Sequence, residues 1–138
     1  MVGLVVATHG NLAQELLKTA EGIVGPIELA CAVSVDANTS VDDARARLAT
    51  AIHKVGADGQ GVLVLTDMFG GTPANLALTF LDEQIEVVTG VNLPMVMKLA
   101  TARGDGLPAA AELATAQGQK NITVASALLR SRTQAPRR

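Results

Sequence analysis

The chain has 138 residues, 49% of them hydrophobic, with no Trp, no Tyr and two Phe. That length and composition allow one domain with an aliphatic core of Leu, Val, Ile, Ala and Met. The formal charge of −2 gives no general attraction to nucleic acid or an anionic membrane, and the single cysteine excludes a disulfide framework and a cysteine metal cluster. No apolar run approaches the roughly 20 residues of a membrane span. Met1-Val2-Gly3-Leu4 lacks the basic start of a signal peptide and runs straight into a strand, so cytoplasmic residence is the expectation.

Strand-like and helix-like segments alternate, which predicts βαβ units and a parallel sheet. Residues 2–8 read as the first strand. Leu12, Leu16, Ala20, Ile23 and Val24 form a helical stripe over 11–24, stopped by Gly25-Pro26. The second strand is predicted over 27–35. Ser40 is a good N-cap, with Asp43 in a capping-box position, and the helix it opens runs to about Gly56. The third strand spans 61–66. Thr72-Pro73 reads as an N-cap and first helical residue, opening a helix to about Asp82. The fourth strand covers 85–89. A helix restarts at Pro94, and another is expected over 108–118. Ile122 and Val124 alternate with polar Asn121 and Thr123, which suggests a late edge strand. Residues 1–128 form the predicted domain, and 129–138 a basic, frayed tail.

The fold class expected is therefore α/β: an open, mainly parallel four-stranded sheet of order 2-1-3-4, flanked by helices. In such a sheet the first and third strands are neighbours, and chemistry gathers at their carboxyl ends. His9 ends the first strand and Asp67 ends the third. They are expected to face each other in one crevice. A lone histidine at a strand end is by itself best read as a capping or exposed residue; the matching acid reverses the odds. A neutral ring nitrogen is a nucleophile, and a carboxylate on the other nitrogen sets the tautomer and stabilises the imidazolium that develops. Gly10 allows a sharp turn, and the amides of Gly10, Asn11 and Leu12 at a helix start suit phosphate oxygens. Gly71 and Thr72 extend the phosphate-binding set, and Asn75 can brace their loop. Met68 and Phe69 are candidate partner-docking residues. In the loop Gly90–Met95, Gly90 and Asn92 suit a turn first, and Asn92 and Pro94 as a docking wall are the bolder reading.

Other residues have simpler readings. His53 is solvated, Cys31 packs as a small core residue, Asp42-Asp43 favour a helix dipole, and Asp36 and Asp58 are turn residues. Arg103, Arg130, Arg132, Arg137 and Arg138 can contact an acidic partner or simply solubilise the chain. No Walker A or G-x-G-x-x-G pattern is present, and two His with one Cys do not make a zinc site; no metal and no cofactor are expected.

Thr8-His9-Gly10, then Asp67-x-x-Gly70-Gly71-Thr72-Pro73-x-Asn75, then Gly90-Val91-Asn92-Leu93-Pro94-Met95 resemble the enzyme IIA component of the mannose-type phosphoenolpyruvate-dependent sugar phosphotransferase system. The resemblance covers the chain from the first strand to about residue 128. It implies that His9 takes a phosphoryl group from the histidine-containing phosphocarrier protein and passes it to a histidine of a IIB component. It implies that Asp67 holds the imidazole and that Thr72 stands near the phosphate. It also implies a homodimer in which an edge strand, here 121–127, is exchanged between subunits. Many members continue through a linker into a IIB domain, so this chain is read as a stand-alone IIA or one of several separate subunits. Met68-Phe69 occupies positions where relatives often carry Trp second, which bears on partner identity more than on chemistry.

Three further functions fit some of these residues. A histidine-nucleophile phosphatase would also use His9, but needs an arginine-lined phosphate pocket, and no strand-end loop carries an arginine apart from the more distant Arg103. A regulator that binds a partner according to its phosphorylation state is compatible with phosphotransfer. The phosphotransfer subunit of a dihydroxyacetone kinase is a near neighbour, against which Gly70-Gly71-Thr72-Pro73 favours the mannose type.

Overall fold

The computed structural model describes residues 1–134. The elements run β1 (Gly3–His9), α1 (Leu12–Val24), β2 (Ala30–Val35), α2 (Val41–Val55), β3 (Val62–Thr66), α3 (Thr72–Leu78), β4 (Ile85–Thr89), α4 (Leu93–Leu99), α5 (Leu107–Lys120) and α6 (Ala125–Gln134). The four strands form one sheet in the order β2-β1-β3-β4, as expected, and every pairing is parallel.

The strands are near-continuous apolar runs because both faces of the sheet are covered. Side chains alternate between two cores. Leu4, Val6, Leu63 and Leu65 face α1, α4 and α5 through Leu17, Ala20, Val96, Leu99 and Ala110. Val5, Ala7, Val62 and Val64 face α2 and α3 through Leu48, Ile52, Val55 and Ala77. Aliphatic and alanine side chains fill both layers, with Phe80 packed at the margin of the second.

Element ends differ from the sequence expectation at β2 and α3. β2 begins at Ala30 rather than 27, because Leu29 adopts a positive φ of 47° on leaving the turn after Pro26. Gly71, not Thr72, is the N-cap of α3; Thr72 is its first residue. That helix stops at Leu78, where the amides of Thr79, Phe80 and Leu81 shift to carbonyls three residues back and the Thr79 hydroxyl takes the Leu76 carbonyl. Ser40 caps α2 as predicted, accepting from the Asp43 amide at 3.0 Å.

The late segment corrects the expectation. Residues 121–124 form no strand, and 125–127 begin α6. Ala125, Ala127, Leu128 and Leu129 are strong helix formers, and the Leu128 amide bonds the Val124 carbonyl to start the turn. The expected frayed tail from 129 is helical as far as Gln134. Arg137 and Arg138 lie outside the described residues.

Arg103 also has a different place. It is 2% exposed, and its guanidinium donates to the carbonyls of Leu99, Val2, Leu29 and Glu28. It ties the start of β1 and the turn before β2 to the end of α4. Burial pushes its pKa down, against the opposing pull of Glu28. This arginine sits at the amino-terminal end of the sheet, opposite the strand ends that carry His9 and Asp67, and faces neither partner nor phosphate.

Candidate functional site

β1 and β3 are hydrogen-bonded neighbours, with Ala7 level with Thr66, so their next residues emerge side by side. Asp67 Oδ2 lies 2.7 Å from His9 Nδ1 and accepts the His9 backbone amide at 3.1 Å. One carboxylate oxygen thus holds both the ring and the main chain of the same residue. Burial raises the Asp67 pKa, but the hydrogen bonds from the His9 ring and amide outweigh it and leave the carboxyl below its ordinary value. An ionised carboxylate only accepts, so Nδ1 carries the proton, which in the neutral ring leaves the lone pair on Nε2. The His9 side chain is 48% exposed and that of Asp67 14%.

The ring is held from the other side by the absence of a side chain. A Cβ placed on Gly71 would lie 2.6 Å from His9 Cε1 and 3.2 Å from Nε2. His9, Gly10, Val35, Asp36, Thr39 and Thr72 line a cleft of about 460 Å³. The expected group therefore assembles in part: His9, Asp67, Gly71 and Thr72 come together. Asn75 braces their loop as predicted, its amide reaching the Gly70 carbonyl at 3.5 Å.

Several expected roles change. The Gly10 amide is not open to a phosphate; it donates to the Val35 carbonyl at 2.9 Å, because the parallel ladder runs one residue past His9. Gly10 instead serves the turn, with φ at 55°. Leu12 keeps an open amide at the first position of α1. Asn11 precedes it as the N-cap, without a side-chain cap bond. Asn92 is engaged internally: its Oδ1 caps α4 through the Met95 amide and its Nδ2 donates to the Gly118 carbonyl. Pro94 lines a separate cavity with Val24 and Met97. Met68 and Phe69 are open to solvent, at 54% and 73% exposure.

In the sequence Thr8 reads as a strand residue within the Thr8-His9-Gly10 motif, with no role of its own. Its side chain is fully buried, accepts the Ala13 amide at 2.7 Å and donates to the His9 carbonyl. It caps α1 from inside the preceding strand and ties the His9 backbone to that helix. A hydroxyl at the end of an apolar strand, just before a helix without a side-chain cap, is the signal that marks it.

Comparison with known proteins follows the same lines. The family model described as PTS system fructose IIA component (EIIA-man) matches residues 3–117. The chain belongs to this family. Membership makes it a phosphotransferase-system IIA component. The PTS system mannose-specific EIIAB component of Escherichia coli (strain K12) is 36% identical over 110 residues, covering 75% of this chain and 32% of the relative. The chain thus spans about a third of that relative's length. The mannose/sorbose-specific IIA subunit of Enterococcus faecalis superposes with a TM-score of 0.80 at 32% identity, over 89% of this chain and 93% of the subunit. The PTS IIA protein associated with the fucose utilization operon of Streptococcus pneumoniae gives a TM-score of 0.82 at 28% identity, over 94% of this chain and 99% of that one. These relatives of one fold are named for different sugars. Among the described residues of the IIA component, no helix is long and apolar enough to cross a membrane.

Proposed function

We propose that this IIA component is a phosphocarrier whose His9 Nε2 receives a phosphoryl group from the histidine-containing phosphocarrier protein and passes it to a IIB component. The observation that carries this reading is the 2.7 Å contact between His9 Nδ1 and Asp67 Oδ2. It leaves Nε2 as the one basic ring nitrogen. In the forward step the Nε2 lone pair bonds to phosphorus, the phosphorus–nitrogen bond of the donor breaks, and its electron pair returns to the donor imidazole. The Nδ1 proton stays on the ring, hydrogen-bonded to Asp67, whose charge stabilises the imidazolium-like product. Transfer to IIB reverses the same events.

The transition state is loose, so positioning and charge stabilisation do most of the work. Ring position comes from Asp67 and Gly71. Oxygen contacts come from the Leu12 amide and the Thr72 hydroxyl. Met68, Phe69 and exposed Leu12 supply an apolar rim on which a partner protein can shut out water. No arginine lines the cleft, which disfavours a phosphatase.

The reading includes a cytoplasmic homodimer. β4 is an open edge, and grooves of about 330 and 410 Å³ lie between it and α5. Ile122, Val124, Leu128 and Leu129 are exposed on the segment that follows. A second copy's 121–124 segment added beside β4 buries apolar surface on both chains. Light scattering on Ile122→Asp with Val124→Asp tests it: a dimer that persists unchanged ends this part of the reading.

The main test is labelling with radioactive phosphoenolpyruvate, enzyme I and the phosphocarrier protein. One acid-labile, alkali-stable phosphoryl group per chain is expected, and none in His9→Ala. Labelling that survives His9→Ala overturns the assignment.

A further inference from the structure

β2 closes the sheet on the side away from β4. The Leu29 carbonyl accepts from Leu4 and the Val35 carbonyl from Gly10, so residues 29, 31, 33 and 35 turn their polar groups toward β1. Directions alternate along a strand, which points the N–H and C=O groups of Ala30, Ala32 and Ser34 outward. Sheet edges are usually blunted by a lysine, a proline or a bulge. Ala30–Val35 contains neither residue, and its register with β1 is unbroken.

A groove of about 500 Å³ runs along this edge between α1 and α2. Gln14, Cys31, Ser34, Arg47, Thr50 and Lys54 line it, giving two cations and no acid. Arg47 helps hold the Asp36 carboxyl down and Lys54 acts on the Cys31 thiol, so both charges are felt along the strand. Ser34 Oγ is buried on the groove wall without a hydrogen-bond partner. Seven residues separate the cations on α2, which is two turns of one helix face and about 10 Å. Acidic side chains two or four residues apart on one face of an extended segment, about 7 or 13 Å, bracket that spacing. The groove at the opposite edge of the sheet is lined by Glu86 and Glu112 and has the reverse sign.

We propose that the outer edge of β2 is a docking site for an extended acidic segment of a partner protein, added as a fifth strand with its carboxylates over Arg47 and Lys54. Main-chain hydrogen bonds to Ala30, Ala32 and Ser34 supply affinity, and the two cations select the sign of the guest. This proposal does not rest on phosphotransfer at His9.

The test titrates the full chain against a fluorescein-labelled peptide of alternating Glu and Thr, about nine residues long, with a Lys/Thr peptide as control. Fluorescence anisotropy should saturate with the Glu peptide alone and weaken with salt. Amide exchange should slow at Ala30, Ala32 and Ser34, and Cys31, the sole cysteine, should be shielded from a maleimide. Arg47→Glu with Lys54→Glu should lower affinity at least about tenfold. Ala32→Pro removes an N–H that does not serve β1 and should abolish binding, with circular dichroism checking its fold. Both variants should still be labelled at His9. Absence of saturable binding to the wild-type chain, equal binding of the Lys peptide, unchanged affinity in the charge-reversed chain, or protection at Val87 and Thr89 instead overturns the proposal.

Discussion

Gly71 stands so close to His9 that a single added methyl group would occupy the space of the imidazole edge, 2.6 Å from Cε1. The φ of Gly71 is −82°, which any residue adopts, so a substitution here meets no backbone strain. Gly71→Ala should therefore act through the ring. We expect His9 to rotate away from Asp67, phosphoryl acceptance to fall at least about 100-fold, as misplacement by an ångström commonly costs, and thermal stability to change little. Rapid-quench labelling and calorimetry on the same protein check this. Normal transfer rates in the alanine variant would show that ring placement does not depend on this contact.

Asp67 makes the complementary contact, and its replacement separates charge from shape. Asp67→Asn keeps the size but loses the anion that holds Nδ1–H. Transfer should slow in both directions by about 10²- to 10⁴-fold, the range for a positioned acid–base group. The pH dependence follows from the lowered pKa of Asp67. An unfolded aspartate titrates near about 3.9. A carboxyl with a lower folded value contributes stability that is present above about 3.9 and lost as pH falls through that lower value. The stability gap between wild type and Asp67→Asn should be constant near neutral pH and close only on strong acidification, measured by urea unfolding across pH.

Thr8→Val tests the cap hidden in the strand. The Ala13 amide loses its 2.7 Å acceptor without a change in side-chain volume. Stability should fall by about 1 kcal/mol, the common value of a lost cap, and the amide of Ala13 should exchange faster with solvent. His9 labelling should slow modestly, because the His9 carbonyl loses the Thr8 hydroxyl as well.

Arg103→Met removes a buried cation that serves four carbonyl groups. A loss of about 3 kcal/mol or more is expected, the scale of breaking a buried polar network. The site lies at the other end of the sheet, so the folded fraction should still accept phosphate at the normal rate. Unfolding curves combined with labelling at low temperature distinguish the two effects.

Much of this was legible in the residues. Continuous apolar strands separated by helical stripes declare a sheet covered on both faces. His9 and Asp67 could be paired because 2-1-3-4 is a common order for such sheets and sets β1 beside β3, as the structure then shows. What escaped was the fate of individual polar groups. Glycine and asparagine near a site read as ligands for a phosphate or partner, yet the Gly10 amide completes a ladder with Val35, and Asn92 binds α4 to α5. Ile122 and Val124 alternate like a strand, but regular pairing needs a neighbouring chain edge, and local helix propensity prevails over 125–127.

The sequence by itself determined the layered sheet, the two strand ends that matter and the residue types placed there, because burial pattern and helix or strand periodicity are local properties. The tertiary structure alone decided which nitrogen of His9 is held, that a side chain on Gly71 would meet the His9 ring, and that Arg103 is a buried tie. Those facts rest on contacts such as His9–Asp67, 58 positions apart, and Val2–Arg103, 101 positions apart, which no window of neighbouring residues encodes.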